Sequence, residues 1–223
     1  MDTRYVIIVA GGKGLRMGSD RPKQFLEVAG KPIIVYTIEK FYLTIPDIRV
    51  IVVLPEDHRS YWKNIKAQYF PNNEITITNG GKTRFDSVKN GLKLVGERGL
   101  VAIHDAVRPC VSAEVINNAF TIAKDKKNAI VAVALKDSIR KLTGNKNEAV
   151  DRKNYQIIQT PQIFEISLIK NAFKVAKSNN FTDDASVAEA YGTEIHLVEG
   201  NYENIKVTTP EDLSICEVFL REM

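Results

Sequence analysis

The sequence of 223 residues has few cysteines, no long apolar run and no strong excess of one charge. Its two cysteines are Cys110 and Cys216, and neither belongs to a CxxC pair or to a spacing typical of metal ligands. We therefore expect two reduced, buried thiols of the kind found in cytosolic proteins, and no cysteine metal site.

The charge and the apolar pattern also exclude some kinds of partner. The formal net charge is +4, from 31 basic and 27 acidic residues, which is too small to indicate nucleic-acid binding but is compatible with a small anionic substrate. No apolar run approaches membrane-spanning length, and the first four residues lead directly into a strand pattern. We expect a cytoplasmic protein without a nucleic-acid or membrane partner.

Apolar runs alternate with helical patterns along most of the chain. The runs at 5–10, 49–54, 100–104 and 129–134 are continuous, which is typical of strands buried on both faces. Helical patterns lie between them, and this alternation favours a parallel sheet covered by helices on both sides. The sequence predicts an α/β fold of the Rossmann-like, three-layer kind with a mostly parallel central sheet.

The alternation breaks at Lys136. Segments 138–142 and 149–152 flank a turn-like stretch and contain few apolar residues, which predicts a β-hairpin. A two-stranded ribbon is only marginally stable alone, so it must dock on its own domain or on a second subunit. We expect one domain over 1–223, with 136–158 as a protruding β-hairpin arm.

The loop from Gly11 to Lys23 follows the first strand, is rich in glycine and carries four basic residues. Glycines let backbone N–H groups approach an anion, and the basic side chains supply countercharge, as a nucleoside triphosphate requires. The GxxxxGK[ST] motif is absent, and a GxGxxG fingerprint is broken because Met17 replaces its third glycine. The end of a first buried strand is a ligand position in open α/β folds.

This loop is similar to the signature loop of the sugar nucleotidyltransferases. Further motifs resemble the 2-C-methyl-D-erythritol 4-phosphate cytidylyltransferases of the non-mevalonate isoprenoid pathway, and they follow in order along nearly the whole chain. They are Gly80-Gly81 with Arg84 and Ser87-Val88, HDAVRP at 104–109, QTPQ at 159–162, TDDAS at 182–186, and VEG, NIKVT and PEDL between 198 and 213.

The resemblance implies a nucleotidyltransferase fold and a reaction. The expected enzyme transfers CMP from CTP to 2-C-methyl-D-erythritol 4-phosphate and releases pyrophosphate, with Mg²⁺ bridging the CTP phosphates. We expect Arg16 and Lys23 to stabilise charge on the triphosphate, and Lys206 to contact the α-phosphate. Lys206 lies in an apolar stretch, where a lysine is costly to bury unless it meets an anion. The resemblance also implies a homodimer through the 136–158 arm.

The expected nucleotide-binding residues cluster in the first loop, around the glycine pair and after the 100–104 strand. They are Ala10, Gly11, Gly12, Gly14, Gly80, Gly81, Ser87, Asp105 and Ala106. Asp105 ends a buried strand, where a carboxylate can hold sugar hydroxyls or a magnesium ion.

The expected acceptor-binding residues lie in the later motifs and the arm. They are Asp105, Arg108, Ser138, Arg152, Thr160 and Thr182. The resemblance implies that Arg152 crosses to a second subunit and grips the acceptor's phosphate there, a task that suits the bidentate fork of arginine. Ser138 stands where the family usually has threonine, and the hydroxyl is kept.

Four further residues have alternative or structural interpretations. We expect His104 to be structural, Ser112 and Asp183 to cap the helices that follow them, and Arg84 to serve the site or to pair with Asp86 or Glu97 on the surface. Three other functions remain as alternatives: a ribitol-5-phosphate cytidylyltransferase, a nucleotide-binding protein without catalysis, and a dinucleotide-dependent oxidoreductase, which the broken fingerprint disfavours most.

Overall fold

A computed structural model describes residues 3–11 and 21–222 of the protein. The strands are β1 (Arg4–Val9), β2 (Glu27–Val28), β3 (Lys31–Pro32), β4 (Arg49–Leu54), β5 (Ile75–Asn79), β6 (Leu100–Asp105), β7 (Asn128–Ala134), β8 (Arg140–Thr143), β9 (Lys146–Ala149), β10 (Gln156–Glu165) and β11 (Leu197–Glu199). The α-helices are α1 (Ile33–Thr44), α2 (Arg59–Tyr69), α3 (Arg84–Leu92), α4 (Ala113–Lys126), α5 (Ile166–Val175), α6 (Asp184–Ala190) and α7 (Pro210–Glu222). Short 3₁₀ turns lie at Lys23–Phe25, Glu56–His58 and Arg152–Asn154.

Seven of the strands within the described ranges form one sheet, in the order β11-β7-β10-β6-β1-β4-β5. β1 runs parallel to β4 and β6, β4 runs parallel to β5, and β7 runs parallel to β11. The strand β10 is antiparallel to both of its neighbours, β6 and β7. The predicted mostly parallel sheet is therefore confirmed, and the carboxyl ends of β1, β5 and β6 lie on the same edge.

Helices cover both faces of this sheet because its strands are apolar on both sides. Along β1, Val6 and Ile8 belong to a core shared with α1, α2 and α4. Tyr5 and Ile7 alternate with them and belong to a second core shared with α3, α5 and α6. The predicted three-layer architecture is confirmed, since alternate side chains of one strand enter opposite cores.

The strand β10 lies in the middle of the sheet, although its sequence does not predict a strand. Pro161 lies inside it. Because proline has no backbone N–H to donate to a neighbouring strand, its presence argues against an interior strand. The pairing with β7 shifts register between Ile158 and Gln162, and this irregularity accommodates the proline. β10 brings the QTPQ motif beside the end of β6.

The hairpin predicted after Lys136 is present as β8 and β9, which pair antiparallel. Its strands lie closer to the turn than the predicted 138–142 and 149–152, and every residue in both strands is exposed. The exposure of the whole ribbon agrees with its low apolar content.

The expectations for two helix caps and for the thiols are met. The side chains of Ser112 and Asp183 accept hydrogen bonds from Val115 N and Ser186 N, so both residues are helix caps. Cys110 and Cys216 are buried, unbonded thiols whose sulfur atoms lie 3.8 Å apart. In the part of the chain that the structure describes, no helix has both the length and the apolar character needed to cross a bilayer.

Candidate active site

Two adjoining cavities open at the edge of the sheet where β1, β5 and β6 end. The first cavity, of about 300 Å³, is lined among others by Ala10, Gly11, Lys23, Gly81, Ser87 and Ala106. The second cavity, of about 480 Å³, is lined among others by Arg108, Gln159, Thr160, Gln162, Thr182 and Asp183. Arg84, Asp105 and Lys206 line both cavities and form the wall between them. Two ligands seated in these cavities would meet at this charged wall.

Most of the predicted nucleotide-binding residues lie around the first cavity. Its wall includes Ala10, Gly11, Gly81, Ser87, Asp105 and Ala106. Gly80 lies beside it, because a β-carbon there would stand 3.3 Å from Ser87 Oγ. The predicted Gly12, Gly14 and Arg16 lie outside the described residues.

Ser87 organises the glycine turn at the end of β5. Its Oγ accepts a hydrogen bond from Gly81 N at 3.0 Å and donates one to Thr83 O at 3.0 Å. A β-carbon on Gly81 would stand 2.2 Å from Cβ of Asp86, so only glycine fits at this close approach. The turn therefore presents backbone, with little side chain, to the first cavity, as a surface for a flat base requires.

Lys23 enters the first cavity from the 3₁₀ turn that follows the loop. Its Nζ donates to Val207 O at 3.3 Å, which ties it to the segment that carries Lys206. The neighbouring Gln24 is buried and donates from Nε2 to Ala10 O at 2.8 Å. Gln24 thus fixes the backbone at the end of β1, a role that its position directly after the Gly11–Lys23 loop did not reveal.

Asp105 is the centre of charge in the shared wall. Its Oδ2 lies 2.9 Å from Lys206 Nζ and 3.3 Å from Arg108 Nε, and its Oδ1 lies 3.7 Å from Arg84 Nε. Its backbone N–H donates to Thr160 Oγ1 at 3.0 Å. One carboxylate thus faces three cations, and the wall keeps an excess of positive charge that suits phosphate groups.

The pKa values of this cluster follow from its charges. Burial alone would raise the pKa of Asp105, but the three cations outweigh burial and hold that pKa well below its usual range. Burial lowers the pKa of Arg108 despite the neighbouring carboxylate of Asp105. At neutral pH Asp105 is ionised.

The anion that Lys206 meets in this structure is Asp105. The lysine side chain is 42% exposed, so it is less buried than its apolar neighbours in sequence suggest. A partly exposed lysine can change partners when a phosphate enters, because it needs only a rotamer change. The lysine is therefore not buried as its sequence neighbours suggested, and the α-phosphate as its partner stays a prediction.

Three of the predicted acceptor residues, Arg108, Thr160 and Thr182, line the second cavity together with Asp105. The buried Asn204 connects two of them. Its side-chain Nδ2 donates to Thr160 O at 2.8 Å, and its backbone carbonyl oxygen accepts from Arg108 Nη1 at 2.7 Å. Asn204 lies within the NIKVT motif, and only the long-range contacts reveal what its side chain does.

Ser138 and Arg152 do not line either cavity of their own subunit. Both are exposed in the arm region, and Arg152 donates from Nη1 to the carbonyl oxygen of Lys136. The structure of one chain therefore separates these two residues from the other predicted acceptor residues.

Arg84 does not pair with Asp86 or Glu97, so that surface interpretation was wrong. Its Nη1 and Nη2 donate to Asp184 Oδ1 and Oδ2 at 2.9 and 2.6 Å. Asp86 instead completes a capping box with Thr83, and Glu97 binds Lys170. Asp184 was missed because its partner lies 100 residues away in the sequence.

His104 is structural, as predicted. It is fully buried against Phe41, and its Nε2 donates to Arg108 O at 3.0 Å. Burial lowers the pKa of His104 to about 4, so the ring is neutral at pH 7. It supports the backbone at Arg108 from below the second cavity.

The side chains suggest where a divalent cation would and would not bind. Among residues 3–11 and 21–222, no group of three or more His, Cys, Asp or Glu side chains is arranged to hold a metal ion. Both oxygens of Asp105 face cationic groups, which does not fit a direct metal ligand. A metal at this site would have to be held mainly by the ligand's own oxygens.

Comparisons with known proteins identify the family of this chain. The family model described as "2-C-methyl-D-erythritol 4-phosphate cytidylyltransferase" matches residues 5–222. The enzyme of that name from Phocaeicola vulgatus is 50% identical over 217 residues, covering 97% of this chain and 99% of that protein.

Solved structures give the same result. The crystal structure of 4-diphosphocytidyl-2C-methyl-D-erythritol synthase from Anaerococcus prevotii has a TM-score of 0.84 and 28% identity, covering 98% of each chain. That of the Francisella tularensis 2-C-methyl-D-erythritol 4-phosphate cytidylyltransferase has a TM-score of 0.81 and 34% identity, covering 97% of this chain and 99% of that chain. The fold is therefore that of these nucleotidyltransferases.

Proposed function

Since the chain belongs to the family of 2-C-methyl-D-erythritol 4-phosphate cytidylyltransferases, we infer that it transfers CMP from CTP to 2-C-methyl-D-erythritol 4-phosphate. The products are 4-diphosphocytidyl-2-C-methyl-D-erythritol and pyrophosphate, and the reaction belongs to non-mevalonate isoprenoid biosynthesis. The protein is thus a nucleotidyltransferase. The observation that carries this function at the level of the site is the pair of adjoining cavities with one shared cationic wall.

CTP is assigned to the first cavity. Gly80, Gly81 and Ser87 form a surface of backbone and small atoms against which cytosine can lie, while Ala10, Gly11 and Ala106 border the sugar and phosphates. Asp105 faces the ribose side from the end of β6. The predicted Gly12, Gly14 and Arg16 would complete the phosphate end of this cavity from the loop.

The acceptor is assigned to the second cavity. Its phosphate lies against Arg108 and the hydroxyls of Thr160 and Thr182, and its own hydroxyls face Asp105. Thr160 Oγ1 accepts from Asp105 N, so its hydrogen stays available to donate. In this arrangement the acceptor phosphate points at the shared wall, where the α-phosphate of CTP arrives from the other side.

The transfer is an in-line displacement at the α-phosphorus. A bond forms between an acceptor phosphate oxygen and the α-phosphorus, the bond to the β-phosphate bridging oxygen breaks, and pyrophosphate leaves with its electron pair. No covalent intermediate with the protein is needed, because positioning and charge neutralisation are the main requirements of phosphoryl transfer. Arg16 and Lys23 neutralise the triphosphate, and Lys206 leaves Asp105 to contact the reacting phosphate.

A divalent cation such as Mg²⁺, if bound with CTP, would supply countercharge for the triphosphate and for pyrophosphate. Because Asp105 already faces three cations, the protein offers no direct carboxylate ligand there, and the phosphate oxygens would have to hold the ion.

The two thiols support a proposal about the cell compartment. The buried, unbonded Cys110 and Cys216 suit the reducing conditions of the cytoplasm, where the protein is proposed to work.

The active unit is proposed to be a homodimer joined through the 136–158 arm. Large apolar side chains are exposed on the arm and on the sheet edge near it, and a second subunit would cover them. They are Leu142 (76%), Tyr155 (43%), Ile157 (49%), Leu197 (50%) and Tyr202 (42%). In such a dimer, Ser138 and Arg152 of the partner subunit would reach the second cavity and hold the acceptor phosphate.

A pyrophosphate-release assay tests the activity. CTP with 2-C-methyl-D-erythritol 4-phosphate is expected to give turnover well above ATP, GTP or UTP with the same acceptor. Ribitol 5-phosphate is the competing acceptor because ribitol-5-phosphate cytidylyltransferases share the loop and the HDAxRP run. Faster turnover with ribitol 5-phosphate would establish that alternative, and no pyrophosphate with any polyol phosphate would indicate a nucleotide-binding protein without catalysis.

A further inference from the structure

Arg84 is the one residue of the shared wall without a role in the proposed reaction described above. It is the first residue of α3 and lies between the two members of the capping box, Thr83 and Asp86, so its backbone is well fixed. Its side chain is 24% exposed and lines both cavities. A guanidinium at this point is within reach of ligands on either side of the wall.

The guanidinium of Arg84 is held in one orientation by Asp184. Two parallel hydrogen bonds, at 2.9 and 2.6 Å, join its terminal nitrogens to the two carboxylate oxygens. This bidentate geometry fixes the plane of the guanidinium as well as its distance. Asp184 has no solvent exposure, so its charge is compensated by Arg84 and not by water.

Asp184 is itself fixed by the central strand β10. Gln162 Oε1 accepts hydrogen bonds from the backbone N–H groups of Asp184 and Ala185, at 3.0 and 2.9 Å. Gln162 Nε2 donates to Asp183 Oδ2 at 2.8 Å. A chain of contacts thus runs from the middle of the sheet through the start of α6 to the guanidinium in the wall.

The Nε edge of the guanidinium faces Asp105 in the shared wall. Arg84 Nε lies 3.7 Å from Asp105 Oδ1, an ion-pair contact that is too long for a good hydrogen bond, so within the described residues this N–H has no protein acceptor at hydrogen-bond distance. Burial would lower the pKa of Arg84, but Asp184 and Asp105 outweigh burial and raise it, which keeps the group cationic. The uncommitted N–H is therefore a charged donor at the junction of the cavities.

We propose that Asp184 is a positioning residue for the transfer step, and that it holds Arg84 so that the guanidinium donates to a phosphate oxygen at the junction of the two cavities. This inference rests on the proposed cytidylyltransferase function. The competing explanation is a purely structural ion pair between α3 and α6. The two explanations predict different effects of substitutions on turnover.

A paired apolar replacement separates the two explanations. Replacing both partners of a buried ion pair by apolar residues of similar volume is often neutral or stabilising, whereas removing one partner leaves an uncompensated buried charge. The variant R84M/D184L is therefore expected to melt near the wild-type temperature. If the pair positions substrate, this stable variant is expected to lose about 10²-fold in kcat, with KM for CTP changed far less.

Single variants and a control pair complete the experiment. Asp184→Asn keeps the shape of the side chain and is expected to lower kcat while KM changes little. Arg84→Lys keeps the positive charge but is also expected to lower kcat, because lysine lacks the bidentate fork. The control is K170M/E97Q, which removes an ion pair outside both cavities whose lysine has a similar exposure of 23%. It is expected to keep wild-type kcat and KM.

The outcomes are distinct. Wild-type kcat in a folded R84M/D184L protein overturns the positioning role. If that protein does not fold, the Asp184→Asn variant is used instead, and its folded fraction is measured by circular dichroism at the assay temperature. A loss of activity that is only proportional to the loss of folded protein would also overturn the positioning role. Failure of the proposed function would show instead as absence of transfer in the wild-type enzyme, and the inference would fall with it.

Discussion

Asp105 and Lys206 form an ion pair with 2.9 Å between Oδ2 and Nζ, at the wall that the two cavities share. The pair joins the last residue of β6 to a segment about a hundred positions later in the chain. The lysine is partly exposed, whereas the carboxylate is buried and has two other cationic neighbours.

Replacing Lys206 by alanine is expected to lower kcat by about 10²–10³-fold, the usual loss when one preorganised charge is removed from the reacting group. The protein should remain folded, since Asp105 keeps Arg84 and Arg108 as neighbours. Steady-state kinetics with pyrophosphate detection measure the effect. Lys63→Ala on the exposed side of α2 is the control, and near-normal turnover of Lys206→Ala would contradict the assigned role.

Asp105→Asn is expected to reduce stability in a way that depends on pH. The variant leaves three cations without their shared carboxylate, which should cost about 3–5 kcal/mol at neutral pH. The pKa of Asp105 is lower in the folded than in the unfolded protein, so its stabilisation is complete above about pH 4 and falls by about 1.4 kcal/mol per pH unit below that.

Urea unfolding of wild type and Asp105→Asn between pH 7 and pH 2 measures this dependence. The difference in free energy of unfolding should be constant at higher pH and should shrink as the pH falls below 4. A difference that grows towards acid would show that Asp105 is not held ionised by its neighbours.

Lys23→Ala is expected to lower kcat by about 10²–10³-fold, because it removes positive charge from the triphosphate end of the first cavity. Lys63→Ala is the control here as well, because Lys63 is an exposed lysine on α2 and does not line either cavity. Single-turnover measurements at saturating CTP compare the chemical step in both variants. Equal losses in the two would indicate a general effect of charge rather than a specific contact.

Mixing two inactive variants tests the crossing of the arm. If each site uses its own Lys206 and Arg152 of the partner subunit, a heterodimer of Arg152→Ala and Lys206→Ala contains one intact site. Equimolar mixing with free exchange of subunits should then restore about a quarter of wild-type activity, since half of the dimers in a two-fold assembly are mixed.

Asp105→Asn mixed with Lys206→Ala is the control for that experiment. Both residues line the cavities of one subunit, so no mixed dimer contains an intact site and no recovery is expected. Native mass spectrometry would verify that mixed dimers form. Mixed dimers without recovered activity in the first experiment would place Arg152 outside the partner's site.

The two thiols are expected to resist a thiol reagent in the folded protein. Cys110 and Cys216 are both buried, and their mutual hydrogen bond together with burial raises the pKa of Cys110 well above its usual range. Reaction with dithionitrobenzoate should be slow in buffer and should reach both thiols in guanidinium chloride. Rapid labelling of the native protein would contradict the tight packing of α7 on the segment after β6.

The sequence by itself determined the layers of this protein and the location of much of its site. Strands buried on both faces must be apolar throughout, so continuous runs such as Arg49–Leu54 mark them directly, and helical spacing marks the elements between. The resemblance assigned Ala10, Gly81 and Asp105 to one nucleotide site, and these residues do line one cavity, since the carboxyl ends of parallel strands share one edge.

Tertiary structure alone decided the position of β10 and the partners of the charged side chains. Pro161 within β10 argues against an interior strand at the level of sequence. The register shift against β7 allows β10 to lie in the interior of the sheet despite this proline. Arg84 has nearby carboxylates in sequence at Asp86 and Glu97, yet it binds Asp184, which packing brings alongside. Local sequence cannot reveal this partner, because the two residues are 100 positions apart and the fold must pair a buried charge with whichever opposite charge packs beside it.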